Sequence, residues 1–308
     1  MRQNNISGIL VVDKPAETTS ARVVARVKAL TQVNKAGHTG TLDPFATGVM
    51  VCCLGSATRL AQFFLKGDKT YEGVLRLGAA TDTQDATGKV IASGSTAAIG
   101  RNVLTAAFKS HEGVIQQQPP AYSALKHNGT PLYKLARQGC PVAKAVRKVT
   151  IHELRILAIE MPDVRFQVTC SAGTYIRTLC ADIGVALGCG GHLQALRRTQ
   201  SSGFHLDEAV GLDALEELVR QGRLIERIVS PARALRGIPQ VIAAPDLVNK
   251  IAHGAPLGYA DIPLPPQGLA AESDVDNLKV VDADGRLRAV VRFEKSRRCY
   301  IYCCVLHY

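Results

Sequence analysis

Asp43 lies in the segment Gly37-His38-Thr39-Gly40-Thr41-Leu42-Asp43-Pro44, where residue types and spacing put an acid on display. Two glycines let the backbone turn sharply, and Pro44 forces Asp43 out of the helical region into an extended conformation. The carboxylate is thus presented from a stiff loop, either for chemistry or as an ordinary helix cap or Asx-turn former. A second segment, Gly173-Thr174-Tyr175-Ile176-Arg177-Thr178, turns a strand into a helix. With Thr174 as N-cap, Arg177 takes the third helical position, where a cation opposes the helix dipole by about 0.3–1 kcal/mol. A carboxylate or a phosphate nearby would offset that. In the third segment, Asp68-Lys69-Thr70-Tyr71-Glu72, Tyr71 opens an alternating strand, where packing is the usual duty of a tyrosine. Cys299, Cys303, Cys304 and His307 are close enough to raise a metal site, but strand alternation would scatter them over two faces, so no metal is expected.

The elements that must hold these groups are written in the pattern. Gly8 to Val12 reads as a short apolar strand halted by Asp13-Lys14-Pro15, and Ser20 as the N-cap of a helix with Val23, Val24, Val27 and Leu30 on one face. Residues 34–48 read as a loop and Val49 to Leu54 as a buried strand. Ser56 then caps a helix with Leu60, Phe63 and Phe64 inward. Tyr71 to Leu77 and Val164 to Ser171 alternate as strands do, and the helix carrying Arg177 stops at Gly188. Residues 116–147 form a basic, loop-like insertion with Pro119-Pro120, a turn at His127-Asn128-Gly129 and a short helix opened by Pro131. Without strict βαβ alternation, the fold class expected is α+β: a mixed, mainly antiparallel sheet with flanking helices. After residue 235 the character changes. Pro245 starts a small helix, a Pro- and Gly-rich stretch follows, and Asp284-Gly285 turns a hairpin between Leu278–Val281 and Leu287–Phe293. A last strand is expected over Tyr300 to Leu306. Residues 1–235 and 236–308 are therefore read as two domains.

The 308 residues carry a net charge of +11, which favours an anionic partner, most often nucleic acid. With 46% hydrophobic residues, a sizeable core is expected. No apolar run nears the roughly 18 residues that span a bilayer, and Gly8 to Val12 is too short for a signal peptide. The nine cysteines are scattered without a C-x-x-C pair, which suits free thiols in a reducing cytoplasm.

In order and with their neighbours, these segments resemble the TruB family of bacterial tRNA pseudouridine synthases over nearly the whole of residues 1–235. The motifs that carry the resemblance are Gly8 to Pro15, the Gly-His-Thr-Gly-x-Leu-Asp-Pro loop, Lys69 with Tyr71, and Thr81-Asp82-Thr83-x-Asp85. They continue through Gln118-Pro119-Pro120-x-Tyr122-Ser123-Ala124, Gly173 to Thr178 and Leu196-Arg197-Arg198-Thr199. The resemblance implies isomerisation of a uridine in the T-loop of tRNA, at position 55, after base flipping and without cofactor or metal. It makes Asp43 the catalytic carboxylate, as nucleophile or as base, and Arg177 its partner. Tyr71 would stack on the base and be a candidate to take the C5 proton. Leu196 would form an apolar floor, and His38 would help fill the space the base leaves. Lys69, Arg59, Lys126 and Lys134 are expected phosphate contacts, and residues 116–147 align with a mobile thumb over the RNA loop. The last seventy residues resemble a PUA-type RNA-binding module by position, size and strand content. A cytoplasmic monomer without an obligate protein partner is expected.

Two other classes fit parts of the sequence. A pure RNA-binding or RNA-folding protein explains the charge but has no use for Asp43, Arg177 and Tyr71 together. A guide-RNA-dependent synthase shares the catalytic core, but such proteins lack a long thumb, for which residues 116–147 leave room.

Overall fold

A mixed sheet of 11 strands dominates the computed structural model, which describes residues 6–262, 277–294 and 296–307. The chain enters it through β1 (Gly8–Lys14), leaves as helix α1 (Ser20–Thr31), and returns through β2 (Ala36–His38) and β3 (Thr47–Leu54). A 3-10 turn at Gly55–Leu60 and α2 (Ala61–Leu65) lead to β4 (Lys69–Leu77). A ribbon of β5 (Ala79–Thr81) and β6 (Val90–Ser93), then α3 (Arg101–Lys109), precede β7 (Gly113–Gln117). The expected insertion holds the hairpin β8 (Lys126–His127) and β9 (Thr130–Pro131) and the short α4 (Leu132–Arg137), with Pro131 at its N-cap. Next come the long pair β10 (Arg147–Glu160) and β11 (Asp163–Cys170), helix α5 (Ile176–Ala186) and β12 (Gly191–Ser201). Short pieces β13 (Phe204–His205), β14 (Val210–Gly211), α6 (Leu212–Arg220), β15 (Ile228–Val229) and α7 (Pro231–Ala234) finish this half.

The main path of the sheet runs β14-β1-β3-β12-β4-β11-β10-β7, antiparallel throughout except for β14–β1 and β3–β12. The α+β expectation therefore holds, for a reason visible in β4. Its residues alternate buried and half-buried from Lys69 to Leu77, so one face is free to take helix α5. The close packing needs glycine at Gly73, where an added Cβ would meet the Phe166 ring at 2.6 Å.

The first two helix starts differ from expectation. Thr19, not Ser20, caps α1, its hydroxyl accepting from the Arg22 N–H at 3.2 Å, because Ser20 is turned inward toward Leu42. The Ser56 hydroxyl caps no helix and pairs with that of Ser7 at 2.6 Å, leaving a 3-10 turn in its place. Cys52 and Cys53 are enclosed in β3, and burial pushes both thiols up to about 12.

The C-terminal sheet has the order β16 (Gln240–Ile242), β18 (Asn277–Val281), β19 (Leu287–Glu294), β20 (Cys299–Val305) and β17 (Leu257–Gly258), with α8 (Pro245–Ala252) packed on it. The Asp284-Gly285 hairpin and the Pro245 helix start are where the sequence put them. The proline-rich expectation at 262–268 lies, beyond residue 262, outside the described residues. Among the described residues no group of His, Cys, Asp and Glu is arranged to hold a metal. Likewise none of the described helices is long and apolar enough to cross a membrane. One hydrophobic cluster joins the two sheets, with Leu60, Phe64 and Leu235 packing on Val281, Val290 and Leu306. The buried Lys279 ammonium reinforces that seam by donating to the carbonyls of Ala232 at 3.1 Å and Leu235 at 3.0 Å.

Candidate active site

The Asp43 loop is held from three sides. Ser20 bonds Leu42 twice, accepting from its N–H at 2.9 Å and donating to its carbonyl at 3.1 Å. Lys14, wholly enclosed at the end of β1, donates to the Pro44 carbonyl at 3.0 Å and to Pro15 at 2.8 Å. Burial, the strongest influence on Lys14, brings its ammonium down to about 8. On the third side is Arg177. Its Nε donates to Asp43 Oδ2 at 2.9 Å, and its Nη2 lies 3.4 Å from Oδ1.

Arg177 is itself clamped. Nη1 donates to the Thr83 carbonyl and Nη2 to the Tyr122 carbonyl, both at 2.8 Å. Asp85 Oδ2 stands 3.7 Å from Nη1, a second and almost fully buried acid. Asp85 is fixed in turn by the hydroxyls of Thr83 and Thr87 at 2.7 and 2.6 Å. The helix-dipole cost read in the sequence is thus met by carboxylates. The helix itself starts one residue later than expected. Tyr175 is the N-cap and Arg177 the second helical residue, because Thr174 spends its hydroxyl on the Ser171 carbonyl. The buried Gln117 amide grips Tyr175, accepting from its N–H at 2.7 Å and donating to its carbonyl at 3.0 Å.

Asp43 retains 36% of its side-chain surface, so the carboxylate can be reached, yet protein surrounds it on its other sides. That burial raises its pKa, with the Arg177 charge opposing and the Asp85 charge assisting the rise. Tyr71 is buried in β4, directly opposite Arg198 of β12 and Val168 of β11. Leu196, opposite Gly73, shares that inward face and packs in the same cluster as Leu42, Ala46 and Tyr71. With Phe45 and Phe166 it also lines a cavity of ≈ 480 Å³. His38 ends β2 half-buried, its Nδ1 accepting from the Gly40 N–H at 3.3 Å, and burial lowers its pKa. The structure therefore brings Asp43, Arg177, Tyr71 and Leu196 to one face around helix α5, with His38 at the start of the same loop.

The expected phosphate contacts part company. Lys126 and Lys134 are exposed on the hairpin and α4 of the insertion. Arg59 is exposed but gives Nη1 to the Val305 carbonyl at 2.9 Å, bridging to the C-terminal sheet. Lys69 is a correction: it is 6% exposed, and its ammonium donates to the carbonyls of Leu65, at 3.1 Å, and Gly67. Those carbonyls close the end of α2, where a cation is favourable, so Lys69 is a structural tie and not a surface contact. Sequence reasoning gave no role to Lys14, Asp85, Gln117 or Arg198, and read Ser20 only as a helix cap.

Comparison with known proteins places this geometry among relatives. Residues 28–176 match the family model described as TruB family pseudouridylate synthase (N terminal domain), and residues 177–235 match that of the tRNA pseudouridylate synthase B C-terminal domain. A protein of Syntrophotalea carbinolica named tRNA pseudouridine synthase B is 47% identical over 251 residues, 82% of each chain. Its namesake in Burkholderia pseudomallei is 43% identical over 293 residues, 95% of each chain. Of solved structures, a chain from a Cbf5-Nop10-Gar1 complex superposes with a TM-score of 0.71 at 29% identity, covering 92% of this chain and 78% of that one. A chain from an H/ACA RNP bound to a substrate RNA containing 2'-deoxyuridine gives 0.71 at 25% identity, covering 97% and 84%.

Proposed function

The chain belongs to the TruB family of pseudouridine synthases, and from that premise we propose how its residues convert a uridine of tRNA to pseudouridine. The isomerisation breaks the bond from ribose C1′ to N1, turns the uracil, and rejoins it through C5. Nothing is gained or lost, so the protein's task is to hold the sugar, free the base and move protons.

The observation that carries the assignment is the Asp43–Arg177 pair at 2.9 Å, on a loop pinned by Ser20 and Lys14, beside Tyr71 and Leu196. Asp43 acts on the ribose, as a nucleophile toward carbon or as a base toward a sugar proton. Arg177 keeps it ionised and aimed. Leu196 supports the extruded uracil, Tyr71 stacks on it and takes the C5 proton, and His38 enters the gap in the RNA loop. The substrate is the T-arm, the target uridine that of position 55, and the enzyme works as a cytoplasmic monomer. Residues 1–235 form the catalytic domain, with 116–147 as its thumb, and 236–308 a PUA-like RNA-binding domain. Lys126 and Lys134 meet phosphates from the thumb, and Arg59 does so beside the C-terminal sheet.

The purified chain alone is expected to convert the uridine of an isolated T-arm stem-loop, read as pseudouridine after nuclease digestion. A requirement for added guide RNA would instead put it with the guide-RNA-dependent synthases, and binding without conversion would make it an RNA chaperone. Affinity is expected to fall by more than about tenfold between about 50 and 200 mM salt, since each phosphate-bound cation releases counterions. Replacing Lys126 or Lys134 by alanine is expected to flatten the log–log salt slope by about one each. An unchanged slope would take that residue off the phosphate track.

A further inference from the structure

Arg198 heads the largest fully enclosed side chains, at 1% exposure, in a strand whose other inward residues include Leu193 and Leu196. Enclosing a guanidinium is costly unless its hydrogen bonds are met. The hydrogen bonds it makes go to neutral carbonyls: that of Val49 takes Nε at 2.7 Å and that of Gly40 takes Nη2 at 3.1 Å, while its charge acts on the phenol of Tyr71. Gly40 belongs to the Asp43 loop, and Tyr71 faces Arg198 directly across the β4–β12 pairing. The Arg198 backbone is pinned as well. It pairs with Gly48, which has φ +103 and whose missing side chain would run into the Arg198 carbonyl. One guanidinium thus bonds the loop that presents the acid and stands opposite the residue read as the C5 base.

We propose that Arg198 is a positioning residue for the C5 proton transfer, locking Tyr71 to the Asp43 loop and stabilising the phenolate that accepts the proton. This rests on Tyr71 being the base at C5. Once C5 has joined C1′, the C5–H bond breaks and its electron pair forms C5=C6. The N1=C6 bond becomes single with the charge on N1, the proton passes to the Tyr71 oxygen, and N1 takes a proton from solvent. A neutral phenol cannot accept that proton. Burial raises the Tyr71 pKa, and Arg198 is the chief influence opposing the rise, with Cys170 and Asp43 adding to it. Charges and thiols around Arg198 itself are Lys14 on β1, His38 on β2, Cys52 on β3 and Lys69 on β4. The two lysines and the histidine all have lowered pKa values, so each gives up its charge earlier than usual as pH rises.

The test uses the full chain and a T-arm stem-loop whose target uridine carries hydrogen or deuterium at C5, in single turnover from neutral to alkaline pH. Arg198→Met is expected to slow conversion about 100-fold and Arg198→Lys about tenfold. Both are expected to show a larger C5 isotope effect than wild type. In Arg198→Met the rate should go on rising to higher pH, because the phenol loses its cation. Should Arg198→Met fail to fold, Arg198→Lys decides through its isotope effect. A folded variant whose isotope effect and pH profile match wild type overturns the proposal, however slow it is. Conversion by Tyr71→Phe at the wild-type rate would remove the premise itself and leave the Asp43 chemistry standing.

Discussion

Asp43→Ala is expected to lower single-turnover conversion by about 10⁴-fold or more, while RNA binding stays within about threefold. The asymmetry follows from where Asp43 sits. Its carboxylate is a single, partly exposed group, whereas the proposed RNA affinity is spread over many phosphate contacts. Asp43→Asn sharpens the test, since it keeps the shape and removes the charge. It should be nearly as damaging as alanine, because an amide can neither attack carbon nor take a sugar proton. Retention of conversion within tenfold of wild type by either variant would free Asp43 from the chemistry. The pH profile carries the same logic. Burial raises the Asp43 pKa, and only the ionised form is competent, so activity is lost as pH falls through that raised value. The acid limb is therefore expected above the ordinary carboxylate range, and it should vanish from the residual activity of Asp43→Asn.

How much of this was legible depended on whether a residue acts through its neighbours in sequence or across the fold. The Asp43 loop was legible because Gly37, Gly40 and Pro44 constrain it locally. Strands β4 and β11 were legible because alternation survives wherever one face is buried. Ser20 was misread because a hydroxyl before a helix is an N-cap by default, and only the fold brings Leu42, 22 residues on, close enough to claim it. Lys69 was misread for the same reason: a lysine is expected at the surface unless carbonyls such as those of Leu65 and Gly67 wait for it. Arg198 did leave a signal. The resemblance made Leu196 an apolar floor, and the strand period of two in β12 puts Arg198 on the same side. An inward arginine in a buried strand is too costly to be idle. Asp85 left a motif but no role, since nothing local says that a residue 92 positions later in the chain will share it with Asp43.

Arg177 is where that sharing has its largest consequence for stability. Arg177→Met is expected to destabilise the fold by about 3 kcal/mol in urea unfolding, the low end for breaking a buried pair because one side of Asp43 stays open. Two acids, Asp43 and the buried Asp85, would then face each other without the guanidinium, and each opposes ionisation of the other. Conversion is expected to fall about 100-fold or more, since even a small displacement of an aimed group costs that much. The acid limb should move to higher pH, because the charge that held the Asp43 pKa down is gone. Arg177→Lys separates the two effects. It keeps the cation and recovers much of the stability, but a single ammonium cannot bond Asp43, Thr83 and Tyr122 at once, so catalysis should remain poor. The sharpest reading comes from adding Asp43→Asn to Arg177→Met. If the pair works as the distances imply, removing the stranded charge restores part of the lost stability, and the double variant is more stable than Arg177→Met. Additive losses would mean that Arg177 holds the Thr83 and Tyr122 loops and that its bond to Asp43 is incidental to folding.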